Sequence, residues 1–528
     1  MVKVCLNDSA RWFTDRVSGH VRGWAFDGGV MLKGGALLGA LALALRQGCL
    51  DATLQRLNGS FSAVLSDGDG VCLIADKLKS WPLLYFRDED SGGWAVCDDG
   101  NEAVRMMGGC ELDANMLPTF LSLGYLWGEN TLCQRCRMVA AGTFVRLDSV
   151  AASSHVYSRP VARNLDADAT TIFGMASVAL EDAFSRALEL AGHRTIAIPL
   201  SGGYDSRLLA CLCKMSGHGN VVCFTYGDAA NPEVEVSRRV AGELGFPWFY
   251  VEYAYDKWQR FVCSGRLEEY LLHAGNLNAI GHIQDFIAID ELMANGAIPP
   301  DAVVMPGHTG DVLGGSHLPG RCGSGNVAQL IYDKYYELNV LKRPCKAQAM
   351  RMLRGALPAV LHGEEECLQA FYCWGKSSRQ SNFIINSVRA YDQAGLDWAL
   401  PLWDDAYASV WEAVPCLRLR GSALYDSFMF DRYFKPMGLA FAKPSLRRGL
   451  ASRVLSRVMS HDLRTLVKHF MGRVGIVAGH EGSYDMNVVG NLIREHYVLP
   501  QDIIDDYVRF VRPGSMSAKA LLYLALLR

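Results

Sequence analysis

Between Thr195 and Tyr253 short apolar runs alternate with segments of helical period. The runs Thr195–Leu200, Val221–Thr225 and Trp248–Tyr253 read as strands, and Ser206–Met215 and Glu233–Leu244 as helices. Strands joined by helices of this length predict a parallel sheet covered on both faces. A further strand is expected over Ala302–Met305. Open sheets of this kind bind ligands beyond the carboxyl ends of their strands. Two glycine-rich segments fall at such ends, Ser201-Gly202-Gly203-Tyr204-Asp205-Ser206 and Pro306-Gly307-His308-Thr309-Gly310-Asp311-Val312-Leu313-Gly314-Gly315.

The first segment leaves an apolar strand and opens a helix. Its small residues let backbone N–H groups close on an anion, and the helix N-terminus adds partial positive charge. Ser206 is expected to cap that helix. The loop lacks the terminal Lys of the mononucleotide P-loop and the G-x-G-x-x-G of dinucleotide folds. It resembles the SGGxDS loop of ATP pyrophosphatases, which cleave ATP between the α and β phosphates. That likeness implies nucleotide contacts at Leu200, Ser201, Gly202, Gly203, Asp205 and Ser206, at Thr225 ending the next strand, and at Gly307, His308 and Gly310 in the second loop. Asp311 is expected to join Asp205 around Mg²⁺, which on a nucleotide takes one or two carboxylates plus phosphate oxygens. His308 and His317, having no Cys partners, read as polar loop residues.

The first 155 residues read differently. Ser60–Ser66, Val71–Ala75, Leu83–Phe86 and Val139–Leu147 are short β-rich runs between turn residues, and predict a mostly antiparallel sheet domain over 1–155. Gly34–Leu45 is apolar for 12 residues between Lys33 and Arg46. That is too short to cross about 30 Å of hydrocarbon and reads as a helix packed on the sheet. Tyr157–Asn164, with Pro160, reads as a linker. A helix over Asp168–Ala191 then opens a second domain, 165–528, mainly helical after the fourth strand.

With 52 basic against 55 acidic residues the net charge is -3, which excludes a protein built around nucleic-acid phosphates. The 16 cysteines lie scattered, as expected of reduced thiols in a cytoplasmic protein. Met1–Arg11 lacks the apolar run of a signal peptide, and no transmembrane segment is expected. Cys133-Gln134-Arg135-Cys136 has CxxC spacing without a second pair, so it predicts no structural metal. Trp374, Trp398 and Trp403 read as core, and Arg447, Arg448, Arg453, Arg457 and Arg464 as a solvated basic face, the alternative being a surface for an anionic partner such as a sugar phosphate or lipid-linked glycan.

Taken with these two loops, further segments resemble the asparagine synthetase B family. Leu57-Asn58-Gly59-Ser60-Phe61-Ser62 and Asp76–Tyr85 are similar to the LNGxFA and RDxxGxxPLYY segments of its N-terminal glutaminase domain. Ala140–Phe144 resembles a glycine segment near that domain's end, and Ser387–Asp404 the GxExRxPFLD block of the synthetase domain. The likeness spans roughly residues 50–445. It implies an α/β and α+β two-domain fold: a sheet domain like the N-terminal nucleophile hydrolases, then an ATP-pyrophosphatase domain with a helical extension. The implied activity is AMP-forming, ATP-dependent amide synthesis, with ATP and Mg²⁺ as cofactors.

Glutamine-hydrolysing members carry Cys directly after Met. Here position 2 is Val and the first cysteine is Cys5, so the glutaminase reaction is expected to be absent. The amine then comes from free ammonia, a partner protein or the substrate. This loss is similar to β-lactam synthetases, to lasso-peptide macrolactam synthetases and to asparagine synthetase-like proteins of surface-polysaccharide clusters. The run Arg379–Arg389 with Asp397–Trp403 resembles the last group most. The partner implied is a small-molecule or glycan carboxylate such as a uronate, with a peptide as the alternative; an oligomer is compatible. The family also places a catalytic Lys after the RxPFLD block. Lys443 matches that place, with Lys435 as the alternative.

Overall fold

The computed structural model describes residues 2–7, 10–68, 70–442, 461–463, 465–467, 483–512 and 517–528. Lys443, Arg447, Arg448, Arg453, Arg457 and Arg464 lie outside the described residues.

Period-two alternation builds the N-terminal half. One antiparallel sheet runs in the order Ala152–Val156, Thr143–Leu147, Gly70–Ala75, Asn58–Asp67, Gly19–Asp27, Phe13–Asp15, with Val30–Lys33 also paired to Gly19–Asp27. A second runs Val2–Cys5, Trp94–Cys97, Leu84–Arg87, Cys136–Met138. Alternate side chains leave each strand on opposite faces. Thus Cys72 and Ile74 face the helices Gly35–Arg46 and Leu50–Arg56, while Leu73 and Ala75 enter the space between the sheets with Val64, Tyr85, Val96 and Val145. Leu84, Phe86, Ala95 and Cys97 point the other way, toward helices Gly100–Met106 and Leu117–Leu123. The result is a helix–sheet–sheet–helix stack. The apolar stretch after Lys33 forms the expected helix, with Leu37, Leu38, Leu41 and Leu45 buried on the sheet.

The second sheet system is parallel throughout, in the order Trp248–Glu252, Val221–Gly227, Ile196–Pro199, Val303–Val304, Asp397–Trp398. Asp168 accepts from the Thr171 N–H at 2.7 Å and starts the long helix Ala169–Ala191. Asn231 caps Pro232–Leu244 through the Glu233 N–H, and that helix ends on left-handed Gly245. The inner strands Val221–Gly227, Ile196–Pro199 and Val303–Val304 are largely buried on both faces, as their apolar character requires, while the edge strand Trp248–Glu252 is only partly covered. The strand Asp397–Trp398 was not expected from sequence; two residues are too few to show a period.

The matched segments of the two halves meet one another. Asn58 Nδ2 donates to Asp404 Oδ2 at 2.9 Å, and Arg186 makes a paired contact with the same carboxylate at 2.7 Å. Lys77 binds Asp405 at 2.5 Å. Arg389 donates to the Ser80 carbonyl, and Lys79 to Asn382 Oδ1. Asn382 lies in a π-helical stretch, Gly375–Ile384. Trp374, Trp398 and Trp403 are core residues, as read from sequence. No described helix is long and apolar enough to cross a membrane.

Candidate active site

Numbered in chain order, the parallel strands lie 3-2-1-4-5 across the sheet. The direction of winding therefore reverses between Ile196–Pro199 and Val303–Val304, and the crevice beyond their carboxyl ends is the topological switch point. The two glycine loops leave those two strands and face each other there.

The first loop is held from below. The Leu200 N–H donates to the Phe224 carbonyl at 2.7 Å, and the Thr225 hydroxyl to the Leu200 carbonyl at 2.6 Å. Thr225 is thus buried beneath the loop, with Trp248 Nε1 donating to its oxygen at 3.1 Å. Ser206 does not cap the helix. The helix spans Tyr204–Met215, with extended Gly203 at its N-cap position and no side-chain cap. Ser206 lies one turn further in, where its Oγ accepts the Ser201 N–H at 3.1 Å, and Ser201 Oγ in turn accepts the Gly203 N–H at 3.1 Å. The serines brace the loop.

The second loop approaches so closely that only glycine fits. A Cβ on Gly307 would fall 2.7 Å from the Ser206 backbone nitrogen, and one on Gly310 would fall 2.4 Å from Asp205 Oδ1 and 2.5 Å from the Tyr425 hydroxyl. The Asp311 N–H donates to Asp205 Oδ2 at 2.9 Å. The Asp311 carboxylate meets His317 Nε2 at 3.1 Å. Its side chain remains 51% exposed although protein crowds it on several sides, the position of a group on a cleft wall. Burial alone would push its carboxyl up, but the His317 hydrogen bond and charge, with the Arg379 charge, hold it below the ordinary value. Asp311 is ionised at neutral pH.

The donor set suits a hard cation. Asp205 and Asp311 supply carboxylate oxygens at one rim, and among the described residues no group of three or more His, Cys, Asp or Glu side chains gathers around a metal position. Ligands beyond these carboxylates would be phosphate oxygens and water, the usual arrangement for Mg²⁺ on a nucleotide. His308 turns away toward Ser387, whose Oγ lies 3.3 Å from its Nδ1. Burial pushes the His308 ring below its ordinary value, so it is neutral at pH 7. The Thr309 hydroxyl is buried without a partner.

Leu200, Ser201, Gly202, Gly203, Asp205, Ser206, Gly307, Gly310 and Asp311 are therefore gathered at one crevice, with Thr225 just beneath, whereas the His308 ring is turned away toward Ser387. Lys435 is not gathered with them. Its ammonium pairs with Asp431 at 2.5 Å, one helical turn away, and the side chain is 64% exposed.

Two further cations, neither assigned a role from sequence, take up positions around the crevice. Arg207 directly follows the first motif and is wholly buried. Its guanidinium donates to the carbonyls of Leu439 at 3.0 Å, Phe441 at 2.7 Å and Gly202 at 3.3 Å. A charge amid Leu208, Leu209, Cys211 and Leu212 was a legible sign of such a role. Arg379, on the π-helical stretch, lies between the rings of Tyr335 at 5.8 Å and Phe383 at 5.3 Å. It forms no hydrogen bond or ion pair with the described residues, and its field reaches Asp311, His282 and Lys334. No sequence period announces a π-helix, so its aim was not legible.

No model of a known protein family matches the sequence, and neither does any curated protein. Among solved structures, the ammonia-dependent NAD synthetase of Campylobacter jejuni overlaps at 17% identity and TM-score 0.18, over 28% of this chain and 61% of that one. The NAD⁺ synthetase of Burkholderia pseudomallei overlaps at 18% identity and TM-score 0.19, over 52% of this chain and 98% of that one. The glutamine phosphoribosylpyrophosphate amidotransferase of B. subtilis, complexed with ADP and GMP, overlaps at 10% identity and TM-score 0.19, over 56% and 64%. This chain thus spans less than two thirds of the first and third of these. The overlaps are too loose to define a shared fold.

Proposed function

We propose that the chain is an ATP-dependent carbon–nitrogen ligase that adenylates a carboxylate, releases pyrophosphate and passes the acyl group to an amine. The observation that carries this reading is the docking of the two glycine loops at the switch point, with the Asp205 carboxylate on the Asp311 N–H.

In this reading ATP lies across the crevice with its phosphates over Ser201–Gly203 and the start of helix Tyr204–Met215, where backbone N–H groups and the helix dipole favour negative charge. Asp205 and Asp311 would hold Mg²⁺, which when bound neutralises charge on the leaving pyrophosphate. The close fit of Gly307 and Gly310 keeps the two carboxylates on one rim. Attack of a carboxylate oxygen on the α-phosphorus breaks the α–β bond and gives acyl-AMP plus pyrophosphate. Attack of an amine nitrogen on the acyl carbon then expels AMP and leaves an amide. A carboxylate must approach the triphosphate and two aspartates against like charge; Arg379 is the cation suited to offset that repulsion.

The finer reading takes the acid as a uronate of a surface glycan, on the likeness of Arg379–Arg389 and Asp397–Trp403 noted above. Residues 1–155 then form a glutaminase-like scaffold and 165–528 the synthetase domain. Cys5 supports the loss of glutamine hydrolysis, since it pairs with Cys97 inside a strand. The amine in this reading is ammonia.

The test is incubation with ATP, Mg²⁺, ammonium and a panel of uronates and other acids. AMP and pyrophosphate appearing together, only when an acid is present, is the expected result. ADP and phosphate would overturn the reading.

A further inference from the structure

One buried lysine crosses between the two halves at a point the proposed reaction leaves unexplained. Lys79 lies in the 76–82 turn with a left-handed φ of 57° and is only 6% exposed. Residues other than glycine are strained there, and such strain persists where the surroundings hold it and a site uses it. Asp76 clamps the turn, its carboxylate accepting the Leu78 N–H at 2.7 Å and the Phe61 N–H at 2.8 Å. A buried ammonium ordinarily needs a carboxylate beside it. Lys79 meets none among the described residues. Its Nζ lies 3.1 Å from Met138 Sδ and donates across the interface to Asn382 Oδ1.

Asn382 carries this hold into the π-helical stretch Gly375–Ile384. Its Nδ2 donates to the Ser378 carbonyl at 2.6 Å, the group its own backbone N–H would meet in an α-helix. A π-helix shifts that backbone bond by one residue, so the side chain secures the widened turn. Ser378 adjoins Arg379, whose guanidinium lies between the Tyr335 and Phe383 rings and has no hydrogen bond or ion pair among the described residues to fix it. The course of the backbone therefore sets where Arg379 points.

On the ligase reading, we propose that Lys79 is a positioning residue for the acid: through Asn382 it holds the π-helical turn that presents Arg379 to the substrate carboxylate. The N-terminal half thereby completes the acid site of the other half, although glutamine hydrolysis is lost. Burial, and after it the Arg389 charge, push the Lys79 ammonium down to about 7. Both protonation states can donate to Asn382.

The test compares the full chain with Lys79→Gly, which suits the left-handed turn, and Lys79→Met, which keeps the side chain's bulk. Pyrophosphate release is followed at saturating ATP, Mg²⁺ and ammonium while the acid is varied, beginning with D-glucuronate from the panel above. Both variants should raise the KM for the acid about tenfold and leave kcat and the KM for ATP within about twofold. Hydrogen exchange of peptides covering 375–384 in the ligand-free chain should speed about fivefold or more, with Tyr204–Met215 unchanged. Adding Asn382→Leu to Lys79→Met should raise the KM no further, because both changes break one path. Unaltered KM and exchange in the two Lys79 variants would overturn the proposal alone, as would an additive rise in the double variant. A wild-type chain that releases no pyrophosphate with any acid would overturn the ligase reading and this role with it.

Discussion

The Arg207 guanidinium donates to the Phe441 carbonyl at 2.7 Å while also reaching the Gly202 carbonyl at 3.3 Å. One buried side chain thus fastens the chain at Phe441 to the first glycine loop. The rings of Tyr204, Phe434 and Phe441 surround it, with Phe441 at 4.3 Å. Arg207→Met would leave those carbonyls and that of Leu439 short of donors. Urea unfolding should show a loss of about 2 kcal/mol, the cost of an unmet buried hydrogen bond. Unchanged stability would contradict the fastening role.

Asp205→Asn and Asp311→Asn should each abolish pyrophosphate release while circular dichroism stays native. In Asp205→Asn the side-chain amide oxygen would still accept from the Asp311 N–H, so the loops should remain docked while the anionic ligand is lost. Near-normal turnover in either variant would remove the metal assignment.

Arg379→Met should raise the KM for the acid at least tenfold and leave ATP binding, read by calorimetry, within twofold. The guanidinium holds no described partner through hydrogen bond or ion pair, so little stability should be lost with it. Equal weakening of ATP and acid would place Arg379 on the nucleotide instead.

Stability should fall on the acid side of neutrality through His282. Burial, opposed by the Asp285 charge, pushes its ring down to about 4, and its Nδ1 is buried without a partner. The unfolded ring protonates near pH 6.5 and the folded ring does not until about pH 4, so the unfolded state binds more protons between those values. The contribution is intact above pH 6.5 and is lost as pH falls toward 4, by about 3 kcal/mol. His282→Gln should flatten that slope in unfolding curves; an unaltered slope would assign it to other groups.

Lys435→Ala should keep product formation within twofold, because an exposed ion pair one helical turn apart contributes little. Lys443→Ala should lose it by about a hundredfold to a thousandfold if that ammonium stabilises the developing oxyanion. Reversal of the two effects would transfer the role to Lys435.

Strand–helix alternation from Thr195 to Tyr253 was legible because buried parallel strands and amphipathic helices differ in period, and each expected element is present within a few residues. The loops were legible because glycine and aspartate clusters at strand ends have few other uses. Local pattern says nothing about which strand lies beside which. The switch point therefore emerged only with the order 3-2-1-4-5, and with it the contact between Asp205 and the Asp311 N–H, 106 residues apart. Ser206 was misplaced because Gly203 takes the N-cap position, starting the helix two residues earlier than the apolar stripe implied. The segments 57–62 and 387–404 stood out in the sequence, and the structure brings them together at Asn58 and Asp404, where they join the two halves.

In the proposed reaction a substrate carboxylate attacks the α-phosphorus of ATP in the crevice between Ser201 and Asp311. Turnover with an acid labelled with ¹⁸O in its carboxylate tests it directly, because the attacking oxygen stays on phosphorus when the amine displaces AMP. AMP carrying one ¹⁸O and unlabelled pyrophosphate are the expected products. Unlabelled AMP, or label in inorganic phosphate, would contradict it.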